Sequence, residues 1–168
     1  MKRLRVLLFA ACSAAVLLAQ DTVVVLVRHG EKVSEVGDAE LSETGLLRAE
    51  RLVALLAPMK PAALFASDRK RTQQTVAPLA RALGLEVQVR KAGEEAALAA
   101  HLLEAWKGRT VVACGHSNTV GPLATALGLK SAFAEPKGFD LYWVVRIKGP
   151  GLVSLEELRQ PDLRPAAR

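Results

Sequence analysis

The run TVVVLV, Thr22 to Val27, constrains the fold more than any other stretch. A strand with one face in water alternates apolar and polar residues; this one does not, so it must be covered on both faces, as strands inside a parallel sheet are. Three further short runs follow: AALFAS (Ala62 to Ser67), EVQV (Glu86 to Val89) and RTVVACG (Arg109 to Gly115). Between them lie longer segments with helical spacing. In DAELSETGLLRAERLVALLA, Leu46, Leu47, Glu50, Val53, Leu56 and Ala57 fall in helical register, and the segment stops before Pro58 and Pro61. RTQQTVAPLARALGL reads as a second helix, kinked or restarted at Pro78 and ended by Gly84. EEAALAAHLLEAWKG and HSNTVGPLATALGL read as a third and a fourth, the latter with Pro122 in its early turns. FDLYWVVRI and LVSLEEL flank Gly149, Pro150 and Gly151 and predict a hairpin supplying one or two more strands.

Strands alternating with helices predict an α/β three-layer sandwich, a mostly parallel central sheet flanked by helices. The 168 residues suit one such domain, expected over residues 21–160. Aromatic residues make up only 4%, so Leu, Val and Ala must build the core. Residues 161–168 read as a flexible tail.

Residues 1–20 are a separate matter. MKRLR precedes an apolar stretch, Val6 to Ala19, that ends in small residues, the layout of a secretory signal peptide. The stretch falls short of the roughly 20 apolar residues that span a bilayer, so cleavage near Ala19 or Gln20 is expected rather than a stable membrane anchor. The rival, FAAC as a lipidation site at Cys12, leaves only about six apolar residues ahead of the cysteine, where 7 or more are usual. The chain is therefore expected to be exported, periplasmic or secreted. Without residues 1–20 the chain has 20 Lys+Arg against 17 Asp+Glu, a net charge of +3 that gives no ground for a nucleic-acid partner. Cys114 is then the only cysteine, which excludes an intramolecular disulfide, and its place in TVVAC makes it a core thiol.

The chemistry is expected where strands end, because open α/β sheets bind ligands outside the carboxyl ends of their strands. VVVLVRHG and TVVACGHS each run from an apolar strand into a histidine. If those two strands are neighbours, His29 and His116 meet in one crevice. LFAS leads into SDRKRTQQT, so Arg69, Lys70 and Arg71 leave the same sheet edge at the start of a helix, where backbone N–H groups favour an anion. Imidazoles and guanidinium groups around one point suit a phosphoryl group: arginine grips phosphate oxygens in pairs and keeps its charge. Nearby cations disfavour imidazolium and keep a neutral, nucleophilic nitrogen. Gly30 lets the backbone approach the ligand. Glu31 and Lys32 read as a salt-bridged or solvated pair, and His101 as a helix-surface or packing residue.

Four blocks, VRHGE (27–31), LSETGLLRA (41–49), SDRKRTQQT (67–75) and CGHSN (114–118), resemble in order and spacing the histidine phosphatase superfamily, also called the phosphoglycerate mutase-like family. The resemblance spans roughly Val23 to Leu129. It implies that His29 becomes phosphorylated, that Arg28 and Arg71 hold the phosphoryl oxygens, and that His116 donates a hydrogen bond to the same group. No metal and no cofactor are implied. The carboxylate proton donor of the family has no direct match, since Ser117 and Asn118 follow His116; the acids after the third strand are Glu94, the first choice, and Glu95. The expected activity is a metal-independent phosphatase acting on a small phosphorylated substrate, a monoester or phosphoramidate, through a phosphohistidine. The alternatives are a mutase-like phosphotransferase and a non-catalytic phosphate-ester binding protein. Oligomeric state is not legible.

Overall fold

A computed structural model of the chain describes residues 20–149 and 151–161. The expectations for a signal peptide, for lipidation at Cys12 and for the tail beyond residue 161 lie outside the described residues. Six strands, β1 (Thr22–Arg28), β2 (Ala63–Ser67), β3 (Val87–Arg90), β4 (Thr110–Gly115), β5 (Leu141–Lys148) and β6 (Leu152–Arg159), form one sheet in the order β3-β2-β4-β1-β5-β6. β1, β2, β3 and β4 are mutually parallel; β5 and β6 are the antiparallel hairpin. Four helices, α1 (Glu43–Leu56), α2 (Lys70–Leu83), α3 (Glu95–Ala105) and α4 (Ser117–Ala126), cover the sheet, and a 3₁₀ turn (Ala57–Met59) follows α1.

The reason TVVVLV shows no alternation is now visible. Val23, Val25 and Val27 pack with Leu52, Leu56, Val76 and Leu79 from α1 and α2. Val24 and Leu26 point the other way, to Leu102, Val120 and Leu123 from α3 and α4. Both faces of β1 are therefore core, the three-layer α/β sandwich the pattern predicts. Each fully buried Leu or Val in these layers stabilises the fold by about 1.5–3 kcal/mol.

Two local expectations fail. α2 runs unbroken from Lys70 to Leu83 with Pro78 inside it, so the helix does not restart at the proline; Gly84 does end it. The buried side of α1 is Gly45, Arg48, Ala49, Leu52 and Leu56, whereas Leu46 and Leu47 are exposed at 48% and 61%. The helix is turned so that in its first turn Gly45, not Leu46 or Leu47, meets the body of the protein. An ideal Cβ on Gly45 would lie 2.1 Å from the Glu31 carbonyl oxygen, so only glycine permits this approach.

This turn also fixes what Glu31 does. The Arg48 guanidinium, nearly buried, donates from Nε to Glu31 Oε2 at 2.9 Å and from a second nitrogen to Oε1. Glu31 therefore pairs with Arg48 and not with Lys32, which binds Glu35 at 2.6 Å. Burial raises the Glu31 carboxyl pKa, but the bidentate Arg48 outweighs it and holds the group below its ordinary value.

Candidate active site

β1 and β4 lie side by side and parallel, with Arg28 opposite Gly115. α1 covers one face of the sheet and α4 the other, so the chain leaves these neighbouring strands in opposite directions and a crevice opens between them. His29 and His116 meet in it: their rings stand edge to face with centroids 5.2 Å apart, and both residues are buried. Arg28, Arg71, Arg69 and Lys32 line the same cleft. The structure thus brings together His29, His116, Arg28 and Arg71.

His29 is anchored on two sides. Its backbone N–H donates to the Gly115 carbonyl at 3.0 Å, locking the strand end to β4. Its Nδ1 lies 2.7 Å from the Gly30 carbonyl oxygen, which can only accept, so the ring proton sits on Nδ1 and Nε2 keeps its lone pair. Burial lowers the His29 pKa to about 4; the charges of Arg71, Arg28 and Lys32 act in the same direction, and the Gly30 hydrogen bond opposes them. His116 is also lowered to about 4, by burial first and then by Arg71 and His29. Near neutral pH both imidazoles are uncharged. Neighbouring cations contribute as expected, but desolvation is the larger cause.

The two arginines are held differently. Arg28 donates from one terminal nitrogen to the carbonyls of Pro136, at 2.8 Å, and Gly138, at 3.0 Å, and its guanidinium lies 4.2 Å from the centre of the Phe139 ring. Arg71 sits in the first turn of α2, with one terminal nitrogen 3.4 Å from His116 Nδ1 and the other 3.8 Å from Asp38 Oδ1. The Nε atoms of both arginines are buried and, among the described residues, without a partner. A buried guanidinium N–H left unbonded is costly, so an acceptor brought within reach of either Nε would be bound favourably.

Two sequence expectations, for Gly30 and Glu94, sit elsewhere than supposed. Gly30 does not line the cleft: a Cβ there would meet Gly45 at 3.0 Å, so its missing side chain admits α1 rather than a ligand, while its carbonyl orients His29. Glu94 does not line the cleft either; it faces an adjoining apolar hollow with Phe65, Leu98 and Val120. Glu95, one residue on, lines both this hollow and the cleft wall, and its carboxylate accepts from the Gly93 backbone N–H at 2.9 Å. His101 packs edge to face on Phe65 and accepts from Trp106 Nε1 at 3.4 Å, far from any chemistry. Cys114 is buried, and desolvation pushes its thiol pKa up, so it is no nucleophile.

Sequence reasoning gave no role to Phe139, whose ring stands 5.7 Å from that of His29, nor to Ser67, whose Oγ lies 2.9 Å from His116 Nε2. Ser67 could have been found, since it ends β2 at the same sheet edge as the histidines; Phe139 sits in an irregular segment with no local signal.

The sequence model of the histidine phosphatase superfamily (branch 1) matches residues 24–100. No curated protein matches. Among solved structures, mycobacterial hydrolase 1 is similar at 17% identity and a TM-score of 0.66, covering 84% of this chain and 98% of its own. The protein histidine phosphatase SixA complexed with tungstate is similar at 18% identity and a TM-score of 0.65, over 82% of this chain and 96% of its own. A mycobacterial glucosyl-3-phosphoglycerate phosphatase complexed with VO3 is similar at 21% identity and a TM-score of 0.61, over 73% and 90%. At these identities the likeness shows a shared fold.

Proposed function

Because the sequence model of the histidine phosphatase superfamily matches residues 24–100 of this chain, we propose that it hydrolyses a phosphorylated small molecule, a monoester or phosphoramidate, through a covalent phosphohistidine on His29 and without a metal. The observation that carries this reading is the pair of arginines with unbonded, buried Nε donors beside two uncharged imidazoles. The bound tungstate and VO3 of two structures with this fold support a phosphoryl-shaped ligand.

His29 Nε2 attacks phosphorus as the ester oxygen leaves, the negative charge on the transferring group being met by Arg28 and Arg71. The leaving oxygen takes a proton from Glu95, which lines the cleft where Glu94 does not. Water then attacks the phosphohistidine, releases phosphate and restores the neutral ring, with the same carboxylate accepting the proton of the water. The basic and then apolar run of residues 2–19 supports export, which suits an enzyme that recovers phosphate from esters outside the cytoplasm.

The test is phosphate release from p-nitrophenyl phosphate in the presence of EDTA, comparing wild type with His29→Ala. Turnover should survive EDTA and fall at least about 1000-fold in the variant. Movement of phosphate between positions of one substrate would favour a phosphotransferase, and binding without turnover a phosphate-ester receptor.

A further inference from the structure

We propose that Ser67, backed by Thr72, is a positioning residue that sets which nitrogen of His116 carries the proton and supports the imidazolium that forms during turnover. The catalytic consequence rests on the phosphatase reading above; the hydrogen-bond pattern does not.

Ser67 ends β2 and is buried; the pairing of Ala66 with Cys114 brings its hydroxyl beside the residue that follows β4. Its Oγ lies 2.9 Å from His116 Nε2 and 2.8 Å from Thr72 Oγ1. Thr72, fully buried, reaches the carbonyls of Arg69 at 2.7 Å and Ser67 at 3.0 Å. Those carbonyls only accept, so the single hydroxyl proton of Thr72 goes to them, and Thr72 Oγ1 is left to accept from the Ser67 hydroxyl. With its own proton used, Ser67 Oγ can only accept from His116. The Arg69 backbone N–H, 3.4 Å away and also a donor, fits the same assignment.

His116 Nε2 therefore carries the proton, and in the neutral ring Nδ1 keeps a lone pair. That nitrogen faces Arg71, which only donates, at 3.4 Å. The opposite pattern fails at this point, because it sets an Nδ1 proton against a guanidinium proton. Each link from Thr72 to Arg71 thus has one consistent direction.

At rest, then, His116 offers a lone pair toward the cleft rather than the proton expected of it. To donate to a phosphoryl oxygen it must first gain a proton on Nδ1, from the acidic oxygen of a monoanionic ester or from solvent, while the Arg71 donor turns from Nδ1 to the phosphoryl group. The ring then has two N–H groups, one on the phosphoryl oxygen and one on Ser67. Ser67 plays the role that a carboxylate plays behind other catalytic histidines, in a neutral form that adds no charge beside the incoming anion.

Two measurements test this. Long-range ¹⁵N–¹H correlation spectra of the labelled protein near neutral pH should place the His116 proton on Nε2, and Ser67→Ala should expose that proton to rapid exchange with water; a proton on Nδ1, or an N–H unaffected by the substitution, overturns the proposal. In turnover of p-nitrophenyl phosphate, Ser67→Ala should lower kcat about 10- to 100-fold with KM within about twofold, and Ser67→Thr should restore most of it. In a His116→Ala background, Ser67→Ala should change kcat less than about twofold, because nothing is left to position. The full loss in that background would show that Ser67 does not act through His116. A wild type without turnover would remove the phosphatase reading, while the nitrogen spectra would still decide the hydrogen-bond pattern.

Discussion

His29 and His116 are uncharged near neutral pH mainly because they are buried, and burial leaves a trace in stability. Above pH 6.5 the imidazoles are neutral in folded and unfolded chains alike. Between 6.5 and about 4 the unfolded chain binds protons that the folded one does not, so stability falls as pH falls through that window, by on the order of 3 kcal/mol for each ring. Tm measured from pH 7 to 4.5 should therefore drop less steeply in His29→Asn than in wild type. Parallel curves would mean that the ring titrates alike in both states. The sequence shows the cations that contribute to this shift, Arg28 and Arg71, because they lie in the same motifs. It could not show the larger cause, since desolvation depends on how many residues distant in the chain close over the rings.

At the scale of elements, the approach of α1 to the end of β1 does most to fix the site. Gly45 admits the helix, Arg48 clamps Glu31, and the N–H of Gly30 donates to Thr75 Oγ1 of α2 at 3.0 Å, so the residues flanking His29 are held from two helices. Gly45→Ala forces a methyl group to 2.1 Å from the Glu31 carbonyl and should cost about 3 kcal/mol or more, lowering Tm by roughly 6–12 °C. Leu47→Ala on the exposed side should cost no more than about 0.5 kcal/mol. Equal losses in thermal unfolding would return the helix to the orientation its leucines suggest. Leu46 and Leu47 mislead because periodicity reports where a helix is amphipathic, whereas the contact face was decided by the closest approach, at a glycine that carries no hydropathy signal.

Across the whole molecule, a site with two unbonded arginine donors predicts stabilisation by an anion that bonds them. Tungstate at about 100 times its Kd should add about 2.7 kcal/mol and raise Tm by roughly 5–10 °C, and Arg71→Ala should remove most of that shift. An equal shift in the variant would place the anion elsewhere. The sequence by itself determined the strands, through apolar runs that only a sheet covered on both faces can bury, and the histidines and arginines at their carboxyl ends, through motifs short enough to be local. The tertiary structure alone decided that β4 lies between β1 and β2, which sets His29, His116 and Ser67 within reach of one another. It also put Glu95 rather than Glu94 on the cleft wall and pressed Gly45 against Glu31. Strand order and helix rotation arise from contacts between residues far apart in the chain, and no local pattern encodes them.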